Sequence, residues 1–188
     1  IGEFHKKYPQ VKIGLVNLKS QDIAASILEG SADLAVGYLL KDHPEITEIK
    51  ITKAGFLLVR QKGAVGNIPQ KNALKGPFAH FEAGVDLRGY IERKLGRELP
   101  IIMELPSIES LLNYVYQGFG CSIVPDFSLG SYWKDKIAYT SLHAIIPPID
   151  ICAYTRKKRT ISKAAEKFLE SLKRHSFGAH PHHLNRRG

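Results

Sequence analysis

The sequence predicts an α/β protein divided into two units. The chain has 188 residues, of which 44% are hydrophobic, and this is enough for two small lobes with a core each. Short apolar runs of strand length alternate with stretches that repeat apolar residues at helical spacing. A segment rich in Gly, Pro and Asn, residues 62–77, separates the early elements from the later ones.

The first unit is predicted from its alternating strands and one well-delimited helix. Residues 11–16, VKIGLV, alternate in the way that is typical of a strand. Ser20 stands at a cap position, and a helical apolar stripe follows it until Gly30. Further strands are predicted at residues 33–40, 46–52 and 55–61, the first of them covered on both faces because it is apolar throughout. The order strand, helix, strand favours a parallel sheet.

The second unit is predicted from three strands and two helices. The strands are residues 78–82, 100–105 and 121–124, and the helices begin at Asp86 and at Ser107. The second helix carries a complete apolar stripe, formed by Ile108, Leu111, Leu112, Val115 and Tyr116. The chain then returns to the first unit through a strand at 149–155 and a closing helix capped by Thr160 or Ser162. The predicted lobes are therefore residues 1–62 with 149–175, and residues 63–148, followed by a flexible tail at 176–188.

The basic character of the chain belongs to its C-terminal part. The formal net charge is +9, and residues 156–188 carry ten Lys or Arg against two acidic residues. The remainder is nearly balanced, so a protein-wide basic groove for nucleic acid is not indicated. The histidines after residue 174 lack acidic or thiol partners nearby, so we expect no metal site.

Catalysis and membrane insertion find no support in the sequence motifs. G-x-S-x-G, a Walker loop, H-E-x-x-H and C-x-x-C are all absent, so neither catalytic residues nor a cofactor is predicted. No apolar run approaches the ~20 residues that cross a membrane. Cys121 and Cys152 each lie inside an apolar run, which favours buried free thiols, although a disulfide stays open as an alternative.

Three stretches together resemble a known family. They are FHKKYPQVKIGLVNLKSQDIAASILEGSADLAVGYL, PSIESLLNYVYQGFGCSIVP and ISKAAEKFLESL, and their order is similar to that in LysR-type transcriptional regulators over residues 2–174. The resemblance implies an effector-binding domain of the type II periplasmic-binding-protein kind, with two lobes joined by two crossover strands. The family's helix-turn-helix, its linker helix and the first strand of the effector domain have no counterpart in this sequence. A gap in the first sheet is therefore expected.

The same resemblance implies a ligand site in the cleft between the lobes. Ligands of open α/β sheets lie beyond the carboxyl ends of strands, where helix N-termini offer N–H groups and a positive dipole. A carboxylate, sulfate or phosphate would accept hydrogen bonds from Ser20, from Ser107 and from nearby backbone. The alternative for both serines is ordinary helix capping. The full set of expected cleft residues is Ser20, Tyr38, Leu39, Phe81, Glu82, Ala83, Ser107, Ile108, Val124 and Pro125.

Four of these expected cleft residues have a competing interpretation. Phe81, Val124 and Leu39 are apolar, so core packing is the alternative for each of them. Glu82 would repel an anion. It is therefore expected to face solvent, to pair with His80 or Arg88, or to select an effector that carries a cation.

The functional expectation is a ligand-sensing domain of a cytoplasmic transcription regulator. By resemblance the protein forms a homodimer or homotetramer, with residues 21–30 and 108–118 at the interface, and contacts DNA only through the family's N-terminal helix-turn-helix. A solute-binding protein of a transporter has the same fold and is the main alternative. An enzyme on the same scaffold comes third, because no catalytic acid or base can be located.

Overall fold

The computed structural model describes residues 1–38, 40, 42–63, 74, 76–82, 86–157 and 160–174, apart from the side chains of Ser20 and Asp86. Its contacts divide the chain into two compact units. Unit 1 consists of Ile1–Thr52 and Asp150–Gly188, and unit 2 of Lys53–Ile149.

The described part of the chain contains helices and strands in a mixed order. The helices are α1 (Gly2–Lys7), α2 (Ser20–Glu29), α3 (Asp86–Leu95), α4 (Ile108–Tyr116), α5 (Ser131–Lys134) and α6 (Lys163–Arg174), with a 3₁₀ turn at Asp126–Ser128. The strands are β1 (Ala35–Gly37), β2 (Ile46–Ala54), β3 (Phe56–Gln61), β4 (Phe78–His80), β5 (Ile101–Glu104), β6 (Ser122–Pro125), β7 (Ile137–Ser141) and β8 (Ile149–Arg156).

Unit 1 is built on a three-stranded sheet in the order β1–β8–β2. One core cluster joins Ile23 and Ile27 of α2 to Cys152 and Tyr154 of β8. Elsewhere in the unit, Phe4 of α1 packs edge-on against Phe168 of α6, with ring centroids 5.1 Å apart. The apolar stripes of these helices are therefore what holds them in place, because burying one large aliphatic side chain stabilises by about 1.5–3 kcal/mol.

Two strand predictions in unit 1 were wrong in extent or in kind. Residues 11–16 form no strand, and Leu15 and Val16 are 81% and 73% exposed. Alternation alone does not make a strand, since a strand also needs a partner for its backbone groups. The predicted strand 33–40 is reduced to the three residues of β1, an edge strand whose Val36 is 40% exposed rather than covered on both faces.

Unit 2 contains the sheet β6–β3–β7 and the pair β4–β5. Its core is the most completely buried part of the described chain, and it includes Phe56, Leu58, Phe78, Leu87, Ile91, Leu111, Leu112 and Ile123. Strand β3 pairs with β6 on one side and with β7 on the other. Residues 53–62 consequently lie in unit 2, whereas the sequence pattern predicts the boundary near residue 62.

The strand directions correct the expectation of a parallel sheet. The pairs β1–β8, β3–β6 and β3–β7 are antiparallel, and β4–β5 is parallel. In each antiparallel pair, a later strand (β6, β7 or β8) runs in the opposite direction to a strand that comes much earlier in the chain. The sequence patterns did not reveal β7, since its residues are mostly half-buried and lack a regular apolar alternation.

Candidate functional site

Three strand ends meet at one edge of unit 2. Strands β4 and β5 are parallel, and a parallel bridge joins Phe78 to Cys121 at the start of β6. Because parallel strands end on the same side, the residues that follow β4, β5 and β6 lie along one edge of the sheet. Six of the expected cleft residues belong to this edge, namely Phe81, Glu82, Ser107, Ile108, Val124 and Pro125.

Ser107 is the N-cap of α4, as the sequence predicts. Its backbone is extended, and its Oγ accepts a hydrogen bond from the N–H of Ser110 at 3.1 Å. Leu111, Leu112 and Val115 are buried on one face of α4, and this burial stabilises the helix that begins directly after the cap. A second contact of 3.0 Å joins the Oγ atoms of Ser107 and Ser110.

His80 is a buried histidine at the end of β4. Its side chain is 0% exposed, and Nδ1 accepts the N–H of Phe81 at 2.9 Å. Burial and then the nearby Arg88 lower the pKa of His80 from 6.5 to about 4, so the ring is neutral at pH 7. Nε2 consequently carries the remaining proton. Within the part of the chain that the structure describes, Nε2 is buried and has no hydrogen-bond partner.

Arg88 of α3 links the end of β4 to α3 and to β5 through hydrogen bonds. Its Nη1 donates to the carbonyl of Phe81 at 3.2 Å and to Glu104 at 2.7 Å, and its Nε donates to Glu92 at 3.3 Å. Arg88 therefore pairs with Glu92 and Glu104 rather than with Glu82. Glu82 itself is exposed, which agrees with the expectation that it faces solvent.

The apolar residues of the edge are part of the core. Phe81 is 9% exposed and Val124 is 0% exposed, and Pro125 is also buried, so packing accounts for all three. Beside them, Asp126 Oδ2 accepts the N–H of Gly55 at 3.0 Å and fixes the end of β6 against the start of β3. Sequence reasoning missed Asp126, for which the only signal was an acidic residue directly after a strand-ending proline.

In unit 1 the structure describes fewer of the expected residues. Ser20 is the first residue of α2, and Lys19 is its N-cap, so the predicted cap was off by one position. Tyr38 follows β1 and is half-buried. A Cβ built on Gly37 would lie 3.3 Å from Ile23, so the first turn of α2 is close to the end of β1. Leu39, Ala83 and the side chain of Ser20 lie outside the described residues.

The two thiols are buried and free, as predicted. Burial raises the pKa of Cys121 to about 11 and that of Cys152 to about 11, so both are protonated at neutral pH and are poor nucleophiles. Among the described residues, no three His, Cys, Asp or Glu side chains form a group that could hold a metal ion. No described helix has the length and apolar character needed to span a bilayer.

Comparison with known proteins assigns this architecture to a family. Residues 1–176 match the model of the LysR substrate binding domain. The HTH-type transcriptional regulator CzcR of Bacillus anthracis is 26% identical over 191 residues, which cover 98% of this chain and 62% of CzcR. SoxR of Arthrobacter sp. (strain TE1826), another HTH-type transcriptional regulator, is 23% identical over 185 residues, or 92% of this chain and 60% of SoxR. The chain thus spans about three fifths of these relatives.

Solved structures agree on the fold. The cofactor-binding domain of the Cbl transcriptional regulator aligns with a TM-score of 0.80 and 16% identity, covering 93% of this chain and 80% of that domain. The regulatory domain of Synechocystis PCC6803 CcmR, in complex with 2-PG, aligns with a TM-score of 0.77 and 16% identity, covering 95% and 89%. The two-unit α/β architecture and the family match over nearly the whole chain lead to one conclusion: this chain belongs to the LysR family, as a LysR substrate-binding domain.

Proposed function

We propose that this domain senses a small anionic effector for a transcription regulator, with the Ser107 edge of unit 2 forming part of the binding site. The observation that carries the proposal is the family match over residues 1–176. Relatives of the same family are named as transcriptional regulators, which favours this function over a solute-binding protein of a transporter and over an enzyme. Two related domains have small molecules bound, 2-PG in CcmR and shikimate in QuiR.

The local chemistry at Ser107 suits an anion. The first turn of an α-helix leaves backbone N–H groups without intrahelical acceptors, and the helix dipole adds positive potential there. The Ser107 hydroxyl takes up one such N–H, that of Ser110, and retains a proton to donate whenever Ser110 supplies the hydrogen between the two hydroxyls. We propose Ile108 N–H and Ser107 Oγ–H as the donors to the ligand.

The remaining cleft residues stay predictions of the family resemblance. On the basis of that resemblance we propose that the site also includes Ser20, Tyr38, Leu39 and Ala83. Glu82 is exposed and carries a negative charge, so it would disfavour highly charged anions and favour a ligand with a single acidic group.

Oligomerisation and cellular context are proposed on the same basis. The full-length relative CbnR has been solved in complex with its target DNA, and we propose DNA binding, a cytoplasmic location and a homodimer or homotetramer for the complete protein. Residues 21–30 and 108–118 are the proposed interface. In support, Tyr116 at the end of α4 is 42% exposed, an aromatic side chain of the kind enriched at interfaces. Light scattering at micromolar concentration that gives the mass of a monomer would contradict this assembly.

A thermal-shift screen tests the anion site. The screen contains small organic acids, sulfate and phosphate, each against the wild-type chain. A ligand present at 100 times its dissociation constant adds about 2.7 kcal/mol to the free energy of unfolding, which raises the melting temperature by several degrees. No shift with any acid or anion would contradict the proposal.

Two cap variants separate ligand binding from helix capping. Ser107→Ala and Ser162→Ala each remove a hydroxyl that accepts an N–H of the following helix, from Ser110 at 3.1 Å and from Ala165 at 3.2 Å. Both variants should lose about 1 kcal/mol of stability. Only Ser107→Ala should also weaken binding of the anion found in the screen, by about tenfold. Equal binding by both variants would remove Ser107 from the site.

A further inference from the structure

Unit 1 contains a cavity of its own, lined by residues of the β1–β2 connection, of β2 and of β8. Its volume is about 290 Å³. Leu40, Pro44 and Ile46 form apolar walls, and Tyr154 of β8 lines it from the core side. Two carboxylates, those of Asp42 and Glu48, also line it. An apolar pocket with a small number of polar groups is the usual form of a small-molecule site.

The electrostatics of this cavity differ from those of the chain as a whole. The protein carries a net charge of +9, yet the described residues that line the cavity include two carboxylates and neither Lys nor Arg. His43 also lines it, and its Nδ1 accepts a backbone N–H at 3.2 Å. Lys50 lies on the same face of β2 as Glu48, but its Nζ contacts Asp150 at 2.6 Å. Among the described residues, neither Asp42 nor Glu48 forms an ion pair.

The wall on the core side of this cavity is preformed. Tyr154 is 2% exposed and packs in one core cluster with Ile23, Ile27 and Cys152, so core packing holds its ring in place. Asp42 and Glu48 are exposed, so a ligand that arrives from solvent can reach both carboxylates. A preformed wall lowers the ordering cost of binding, which favours affinity.

We propose that this cavity binds a small organic ammonium ion, with Asp42 and Glu48 pairing with the nitrogen and Leu40, Pro44 and Ile46 contacting the hydrocarbon part. A bare metal ion fits less well, because no group of three metal-ligating side chains exists among the described residues. An anion would be repelled by both carboxylates, and a neutral apolar molecule would gain no attraction from them. The ligand class is therefore a monoamine with a compact hydrocarbon group.

This cation site shares no residue with the anion site proposed above. Its lining residues all belong to unit 1, whereas the proposed anion site rests on Ser107 of unit 2 and includes Ser20, Tyr38 and Leu39 only by family resemblance. The two sites also select opposite charges. If an amine binds and no acid does, the ammonium site is supported and the anion site is contradicted. If an acid binds and no amine does, the anion site is supported and the ammonium site is contradicted.

Isothermal titration of the 188-residue chain with three matched probes tests the proposal. Cyclohexylammonium, cyclohexanol and cyclohexanecarboxylate share one ring and differ in charge. We expect saturable binding of cyclohexylammonium, at least tenfold weaker binding of cyclohexanol and no competition by cyclohexanecarboxylate for the ammonium site, because each charge-assisted hydrogen bond accounts for about a factor of ten or more. Absence of cyclohexylammonium binding, or equal affinity for the alcohol, would overturn the proposal.

Charge-neutralising variants locate the site. Glu48→Gln and Asp42→Asn should each weaken cyclohexylammonium binding about tenfold while keeping nearly the same shape. Glu45→Gln is the matched control, since Glu45 is a neighbouring exposed acid that does not line the cavity. If Glu45→Gln weakens binding as much as Glu48→Gln does, the amine is attracted by general surface charge and the proposed site is wrong. Circular dichroism of each variant verifies that unit 1 remains folded.

Discussion

Acidification should destabilise this protein through His80. The folded state holds its pKa at about 4, whereas the unfolded chain has the usual 6.5. Between these two values the unfolded state binds a proton that the folded state does not, so stability falls as the pH is lowered from 6.5 towards 4. The difference corresponds to roughly 3 kcal/mol at full development, because each pKa unit is about 1.4 kcal/mol. Below about pH 4 both states are protonated, and this contribution changes no further.

Urea unfolding at several pH values between about 7 and 4.5 measures this contribution. His80→Leu removes the titrating group, and the quantity to compare is the change in unfolding free energy with pH in wild type and variant. The wild type should lose roughly 2 kcal/mol more than the variant over this range. The comparison uses only the change of unfolding free energy with pH and not the absolute stability of the variant. This is an advantage, because His80→Leu also leaves the N–H of Phe81 without its acceptor and so lowers stability at every pH.

The two pH curves, one for the wild type and one for His80→Leu, separate the contribution of His80 from that of every other titrating group. Parallel curves for wild type and His80→Leu would refute the reasoning, since they would mean that His80 takes up its proton equally well in the folded and unfolded states.

Three further variants test the packing and backbone of unit 2 by denaturant unfolding. Leu112→Ala should cost about 2–5 kcal/mol, because Leu112 is 1% exposed and its removal leaves a cavity; a cost below about 1 kcal/mol would contradict the burial of α4. Gly118→Ala should cost more than about 1 kcal/mol, since φ is +83° there and the added Cβ would lie 2.6 Å from the side chain of Gln61; an unchanged midpoint would argue against this turn. Asp126→Ala should cost about 1–3 kcal/mol through the unpaired N–H of Gly55, and a neutral result would mean that water replaces the carboxylate.

Helices with both a cap and a stripe could be predicted from the sequence. The residues from Ser107 to Tyr116 contain the cap and the i, i+3, i+4 stripe, and a glycine follows at position 118, so all of this information lies close together in the chain. Local patterns of this kind determine a helix because its hydrogen bonds and its cap are local. The predicted start of α4 therefore agrees with the structure to the residue.

Strand predictions failed where the partner lies far away in the chain. Residues 11–16 alternate as a strand does, yet they form none, and both antiparallel partners of β3 come much later in the chain. The local sequence pattern of a strand predicts neither whether a distant partner strand exists nor in which direction that partner runs. The same limit applies to the site, where the Arg88 hydrogen bonds to Phe81 and Glu104 depend on three elements meeting in space.

The uncovered segment of unit 1 has a practical consequence for handling the protein. Leu15 and Val16 are exposed next to backbone that forms no ladder, and β1 offers a short open edge in the same unit. Copies of the chain can associate there edge to edge, and electrostatic repulsion from the net charge of +9 opposes that encounter. Concentrated stocks should consequently stay clear longest in low-salt buffer, and added salt should promote turbidity by screening the repulsion.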